Sequence, residues 1–291
     1  MYASAEDFQE VLGQESYVDM DRLKDLAVHG IPDEVRADVW RYLLRVAQPD
    51  KSQEVTSTLA RSQEYSEQRR RDQLDLSASD AIPVKRVRGE IKRFQDGVEF
   101  FQQQSTQRLF ENVVSVFLSR NSDLADFTGS VVPLCGPVIF AFEDNEAEAF
   151  HAFSQLMRQV QPRLPPPATN KLVADLMAVF RATQSELYSH FEQEELEPNE
   201  WAVPWLQSLL AKELPLSCVV RLWDTYLAQD DGFALHPYVC LAILAYCKET
   251  IEELEYADLL AYLQHLPEMD MDRIIAHAHN IWHEVISQNL M

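Results

Sequence analysis

"FTGSVVPLCGPVIF", residues 127–140, carries no charge inside a 291-residue chain whose formal net charge is −22. It holds two of the seven glycines and two of the fourteen prolines. The glycine and proline spacing is unusual for a helix, and the lack of polar residues is unusual for a loop. From Val131 onward the stretch predicts a buried helix over about 129–142, kinked at its prolines. Its glycine and proline positions suit close packing and a bend.

The rest of the chain supports a helical reading. Apolar residues make up 46% of it, enough for a sizeable core without staples or metal. Glycine is scarce while Leu, Ala, Glu, Gln and Arg recur at helical spacing, which favours an all-α fold over turn-rich sandwiches and barrels. Acidic residues outnumber basic ones 47 to 25, and the sequence pI is near 4.6. Such a surface repels phosphate backbones and anionic membranes, so neither a nucleic acid nor direct membrane insertion is expected. The four cysteines lie among apolar neighbours with no C-x-x-C pair, as reduced core thiols do. No leader segment is visible, and no apolar run is expected to reach the ~20 residues of a membrane span. A cytoplasmic protein is the expectation.

Along the chain, residues 1–28 predict a short helix ending in "MDRLKDLAV". "HGIPDEVRADVWRYLLRVAQPD" predicts the next one, opened by Pro32 and Asp33, with Val35, Val39, Trp40, Leu43 and Leu44 inward. Residues 51–80 suggest one solvated helix followed by a loose "LSASDAIP" connection. Over 69–93, eight basic residues face four acidic ones, the only basic island in the chain. A charge run is usually a solvated face, yet such islands also recognise anions. Helices are expected at 98–120 and 144–161. "QPRLPPPATN" near 161–170 is the best candidate for a lobe boundary, with six amphipathic helices beyond it.

Tests for enzyme chemistry mostly fail. The phosphate loop, the dinucleotide fingerprint and the nucleophile elbow are absent. "HAHNIWHE" places His279 and His283 one helical turn apart, but no third ligand completes a set, so no metal site is expected. "RLWDTYL" reads as a buried Trp223 beside Asp224, a carboxylate that needs partners if buried.

Four segments resemble, in order, the TBC domain found in GTPase-activating proteins for Rab-type small GTPases. They are "GIPDEVRADVWRYLL" with Gly30, Pro32, Arg36 and Trp40, "DNEAEAFHAFSQLM", "EWAVPWLQSLLAKELPLSCVVRLWDTYL" with Trp205, Arg221, Trp223 and Asp224, and "LAIL" with "LPEMDMDRIIAHA". The resemblance covers about residues 28–285. It implies an all-α, V-shaped domain of two lobes at about 28–161 and 170–285, after a helical extension at 1–27 and before a tail at 286–291. The tryptophans, Arg36 and Asp224 are expected to hold the scaffold.

The family's two catalytic side chains are an arginine in isoleucine-x-x-aspartate-x-x-arginine and a glutamine in tyrosine-x-glutamine-glycine. The guanidinium stabilises charge developing on the transferred phosphoryl group and contributes on the order of 10³–10⁵ in rate, while the amide orients water. In this chain the first motif falls on Val87, Glu90 and Arg93. A second register, from Ile91, would put Phe94 and Gly97 at the key places. The second motif falls on Phe127 for tyrosine and Gly129 for glutamine, so the glutamine finger is missing. The resemblance implies a Rab-type partner, no cofactor of the chain's own (GTP and Mg belong to the GTPase), and recruitment to endomembranes through that GTPase. It leaves open an activator with reduced or altered catalysis, an inactive GTPase-binding relative, and a scaffold subunit of a larger complex.

Overall fold

In the computed structural model, residues 3–75 and 84–288 are described. Their regular structure is helical, and among them the one strand-like contact is an isolated bridge between Tyr17 and Asp50. The chain divides into two compact units.

The first unit runs through Val160 and takes in Leu227–Gln229. It contains α1 (Ala5–Leu12), α2 (Met20–Ala27), α3 (Asp33–Leu43), α4 (Glu54–Asp75), α5 (Val84–Arg93), α6 (Glu99–Gln102), α7 (Gln104–Arg120), α8 (Thr128–Ala141) and α9 (Glu146–Val160). The single helix expected over 1–28 is two. Ser4 and Asp7 form a reciprocal cap on α1, and the Asp19 carboxylate accepts the Arg22 amide to start α2. Both pack on α3 and bury Phe8, Val11, Leu23 and Ala27. Gly30, at φ 106°, makes the left-handed turn into α3 that glycine adopts at least cost. Pro32 caps α3, where buried Arg36 donates to the Asp33 carboxylate and the Ile31 carbonyl. The "LSASDAIP" connection at 76–83 lies outside the described residues. The helix expected over 98–120 breaks into α6 and α7 because Gln103 is extended.

The membrane-length expectation needs correction. A 3-10 turn at Ser122–Phe127 continues into α8, so Ser122–Ala141 is long and apolar enough to cross a membrane by composition, with mean hydropathy 1.5. Of that window 67% is buried within the protein, and residues 131–139 are all buried. Pro133 and Pro137 lie inside α8. Each lacks the amide that would bond four residues back, so the backbone ladder is cut at Gly129 and again at Pro133.

The second unit comprises Gln161–Tyr226 and the residues from Asp230 onward. It contains α10 (Pro166–Thr183), α11 (Ser185–Gln193), α12 (Pro198–Ser208), α13 (Leu216–Ala228) except its last two residues, α14 (His236–Tyr246), α15 (Lys248–Ile251), α16 (Tyr256–Gln264) and α17 (Met271–Gln288). Trp205 and Trp223 are buried, and their indole N–H groups donate to the carbonyls of Leu263 (2.9 Å) and Leu209 (3.2 Å). Leu209 and Leu210 both adopt left-handed backbone after α12, a strained pair held by burial. Asp224 is fully buried and partnered. Arg221 donates to Asp272 (2.6 Å) and Thr225 (2.8 Å), tying α13 to α17.

A buried polar cluster closes this core. His236 Nε2 lies 2.9 Å from the Trp205 carbonyl, so it carries the proton, and Nδ1 then accepts from the Tyr226 hydroxyl at 2.8 Å. Burial pushes His236 down to about 3 from an ordinary 6.5. Burial also pushes Glu213 up to about 7 from 4.5, although Ser208 donates to its carboxyl at 2.8 Å. The folded protein refuses a proton at His236 that the unfolded chain takes, so this term weakens the fold as pH drops from 6.5 toward 3. Glu213 keeps its proton in the fold and loses it when unfolded, so its term weakens the fold as pH rises from 4.5 to 7. Chemical denaturation across pH checks this. Relative to wild type, Glu213→Gln should gain on the order of 2–3 kcal/mol between pH 4.5 and 7; a pH-independent difference would refute the buried proton.

Candidate functional site

α5 owes its position to a three-residue apolar stripe. Val87, Ile91 and Phe94 recur at i, i+4 and i+7 and are all buried, packing α5 against α7 and α8. Two contacts tether it to the α8 segment. Arg86 donates to the Asp126 carbonyl at 3.2 Å, and Phe94 packs on Gly136. The order of these contacts makes α5 run parallel to α8. A Cβ built on Gly136 would sit 2.1 Å from the Phe94 ring, so the ring occupies the space a side chain would fill. Phe101 and Phe110 meet Phe94 edge-on, with ring centroids 4.9 and 5.8 Å away.

With the stripe turned inward, the polar residues of α5 fall on two flanks. Arg86, Glu90 and Arg93 share one. Arg93 ends the helix with 68% of its side chain exposed, and its guanidinium meets Glu90, 20% exposed, at 2.9 Å. Arg88 and Lys92 share the other flank, toward α7, where Arg88 pairs with Glu111 at 2.7 Å. In the alternative register, Phe94 is a core residue and Gly97 stands in the exposed turn after α5.

The basic island therefore divides. Arg69 on α4 pairs with Glu146 on α9 at 2.9 Å, and Arg71 lies 3.9 Å from Glu67 on its own helix.

Phe127, half-buried, is the residue before α8, and Gly129 lies in that helix's first turn. A Cβ on Gly129 would meet nothing within 4 Å. Position 129 thus has open space around its Cβ. The structure places Gly30, Pro32, Arg36, Trp40, Glu90, Arg93, Phe127 and Gly129 in the first unit, and Trp205, Arg221, Trp223 and Asp224 in the second. Among the described residues no three His, Cys, Asp or Glu side chains gather as a metal site; His279 instead stacks on Trp282. The Phe94–Gly136 contact went unread in the sequence. Its signal was a glycine inside an apolar helical run, which marks close approach without naming the visitor.

A helical chain of two units, with these motifs in this order, defines a TBC domain. The family model described as the Rab-GTPase-TBC domain matches residues 33–252, and the chain belongs to that family. TBC1 domain family member 22B of Homo sapiens is 28% identical over 292 residues, covering 90% of this chain and 57% of that protein. GTPase-activating protein gyp1 of Schizosaccharomyces pombe is 26% identical over 284 residues, covering 87% and 55%. The chain thus spans little more than half the length of these relatives. The solved Ypt/Rab-GAP domain of Gyp1p superposes with a TM-score of 0.84 at 20% identity, over 96% of both chains. The RabGAP TBC domain from the Chlamydomonas flagellum gives 0.69 at 16%, over 90% of this chain and 85% of that one. At these identities the two structures establish a shared fold.

Gly136→Ala should cost about 1–3 kcal/mol, because the Phe94 ring must leave the α8 backbone. A denaturant midpoint unchanged from wild type would show that the ring moves aside freely.

Proposed function

We propose that this chain is a GTPase-activating protein for a Rab-type small GTPase, with Arg93 as the arginine it inserts toward GTP. The observation that carries the reading is Arg93 itself: a largely exposed guanidinium at the end of a helix whose opposite face is locked into the core. GTP and its Mg ion belong to the GTPase. Phosphoryl transfer to water spreads negative charge over the γ-phosphate and bridging oxygens, and a planar cation in reach of both lowers that barrier. Glu90 holds the guanidinium along its own helix until docking. The pair is exposed on the arginine side, so releasing it costs little.

Gly129 supplies no amide to orient the attacking water, so that task falls to the GTPase's own residues, and catalysis is reduced or altered. The same missing amide favours a second reading, an inactive TBC relative that binds a GTPase and serves as a scaffold in a larger complex. In either case the protein works in the cytoplasm and reaches endomembranes through its GTPase.

Single-turnover GTP hydrolysis over a panel of Rab proteins separates the two readings. Arg93→Ala should lower the accelerated rate on the order of 10³-fold while GTP-dependent binding persists, and Arg93→Lys should not restore it. An Arg93→Ala protein as active as wild type would sink the assignment of the finger. Binding without acceleration by wild type would select the scaffold, and no GTP-dependent binding at all would defeat both. Gly129→Gln should raise the rate without loss of stability, since glutamine forms helix better than glycine by about 0.5–1 kcal/mol. Rates equal to wild type in this variant would place the water-orienting position elsewhere.

A further inference from the structure

The second unit contains a pocket of about 370 Å³ between α10, the turn at Gly232–Leu235, α14 and α17, with no part in the chemistry above. Its walls are aliphatic side chains such as Leu176 and Leu241, and its aromatic surface comes from Phe233, Tyr238 and Trp282. Tyr238 and Trp282 stack at 16°, with centroids 6.0 Å apart. Three charged residues complete the lining: Arg163, Asp175 and Asp231.

These charges are not equally satisfied. Arg163 lies over the Phe233 ring, donates to the Phe233 carbonyl at 3.0 Å, and has Asp231 as its closest carboxylate influence. Asp175 is half-buried and makes no hydrogen bond or ion pair among the described residues. Tyr238 is only 5% exposed, yet its hydroxyl has no hydrogen-bond partner among them either. Burial first, and then the Asp175 carboxylate, pushes that hydroxyl's pKa up, so the two groups address the same space. Both groups line the open pocket, where an incoming donor or cation can reach them.

We propose that this pocket receives a lysine or arginine side chain from a basic segment of a protein partner. The alkyl stem packs on the aliphatic walls and on Trp282, and the charged head binds Asp175 and donates to the Tyr238 hydroxyl. An aromatic surface favours a cation through its quadrupole, and a guanidinium also stacks flat on an indole. An anionic occupant would meet Asp175 unscreened, while Arg163 is already engaged. A neutral apolar occupant would fill the volume and leave both polar groups unanswered. The formal charge of −22 adds a field that draws basic segments in. This site rests on the fold alone and stands whether or not Arg93 acts on GTP.

NMR titration of the whole chain tests it, with the Trp282 indole signal identified by its loss in Trp282→Phe. The probes are N-acetyl-arginine amide, N-acetyl-lysine amide and the uncharged N-acetyl-norleucine amide. Both cations should shift the Trp282 signal saturably with millimolar affinity, and norleucine at least about tenfold more weakly, a difference of about 1.4 kcal/mol. Asp175→Asn should weaken the cations about tenfold, and Tyr238→Phe about threefold. The proposal fails if no probe moves the signal by tens of millimolar, roughly the weakest binding a single anchor gives. It also fails if norleucine binds as well as arginine, or if Asp175→Asn binds the cations as wild type does.

Discussion

The first unit depends on one close approach, the Phe94 ring lying against the bare backbone of Gly136. Any side chain at 136 would hold α5 away from α8, and with it the aromatic cluster of Phe101 and Phe110. Because Phe94 points into the core, the residue before it, about 100° round the helix, points along the surface. Arg93 is therefore aimed by a packing contact rather than by a loop. A group set on a helix anchored this way is held more accurately than one on a mobile connection.

Electrostatics in the first unit work pairwise in spite of the large net charge. Glu148, 5% exposed, sits between Arg61 (3.1 Å) and Arg41 (3.4 Å), which joins α3, α4 and α9. Glu146 accepts from Tyr65 at 2.6 Å and from Asn112 at 3.2 Å while pairing with Arg69. Pairs on exposed surfaces contribute little energy, but a buried carboxylate with two guanidinium partners fixes which turn of one helix faces which turn of another. Within 69–93, Arg69, Arg71, Arg88 and Arg93 each meet a different carboxylate.

Where apolar residues recur at helical spacing the helix was legible, as in α3 at Asp33–Leu43; α8 at Thr128–Ala141 is apolar all round and was read from its uncharged run instead. Breaks that depend on one backbone conformation were not, as extended Gln103 shows. The buried tryptophans were readable as core, but their indole partners were not, because Leu263 lies 58 residues from Trp205. Tyr65 sits in a stretch that reads as solvated and is nonetheless buried, since its hydroxyl reaches Glu146 on another helix. Of the candidate site, the positions Val87, Glu90, Arg93, Phe127 and Gly129 came only through the family resemblance. Phe94 was hidden within "KRFQDG", where one aromatic among polar residues carries no sign of a partner 42 positions away. The pocket facing Asp175 left no local pattern, since its lining comes from four separated segments.

Position 129 stands apart from this interlocked core. Its Cβ direction is empty, and Pro133 has already severed the helical bond that would involve its carbonyl. Tolerance of substitution is therefore split along one helix: a Cβ at Gly136 must displace the Phe94 ring, while a Cβ at Gly129 displaces nothing.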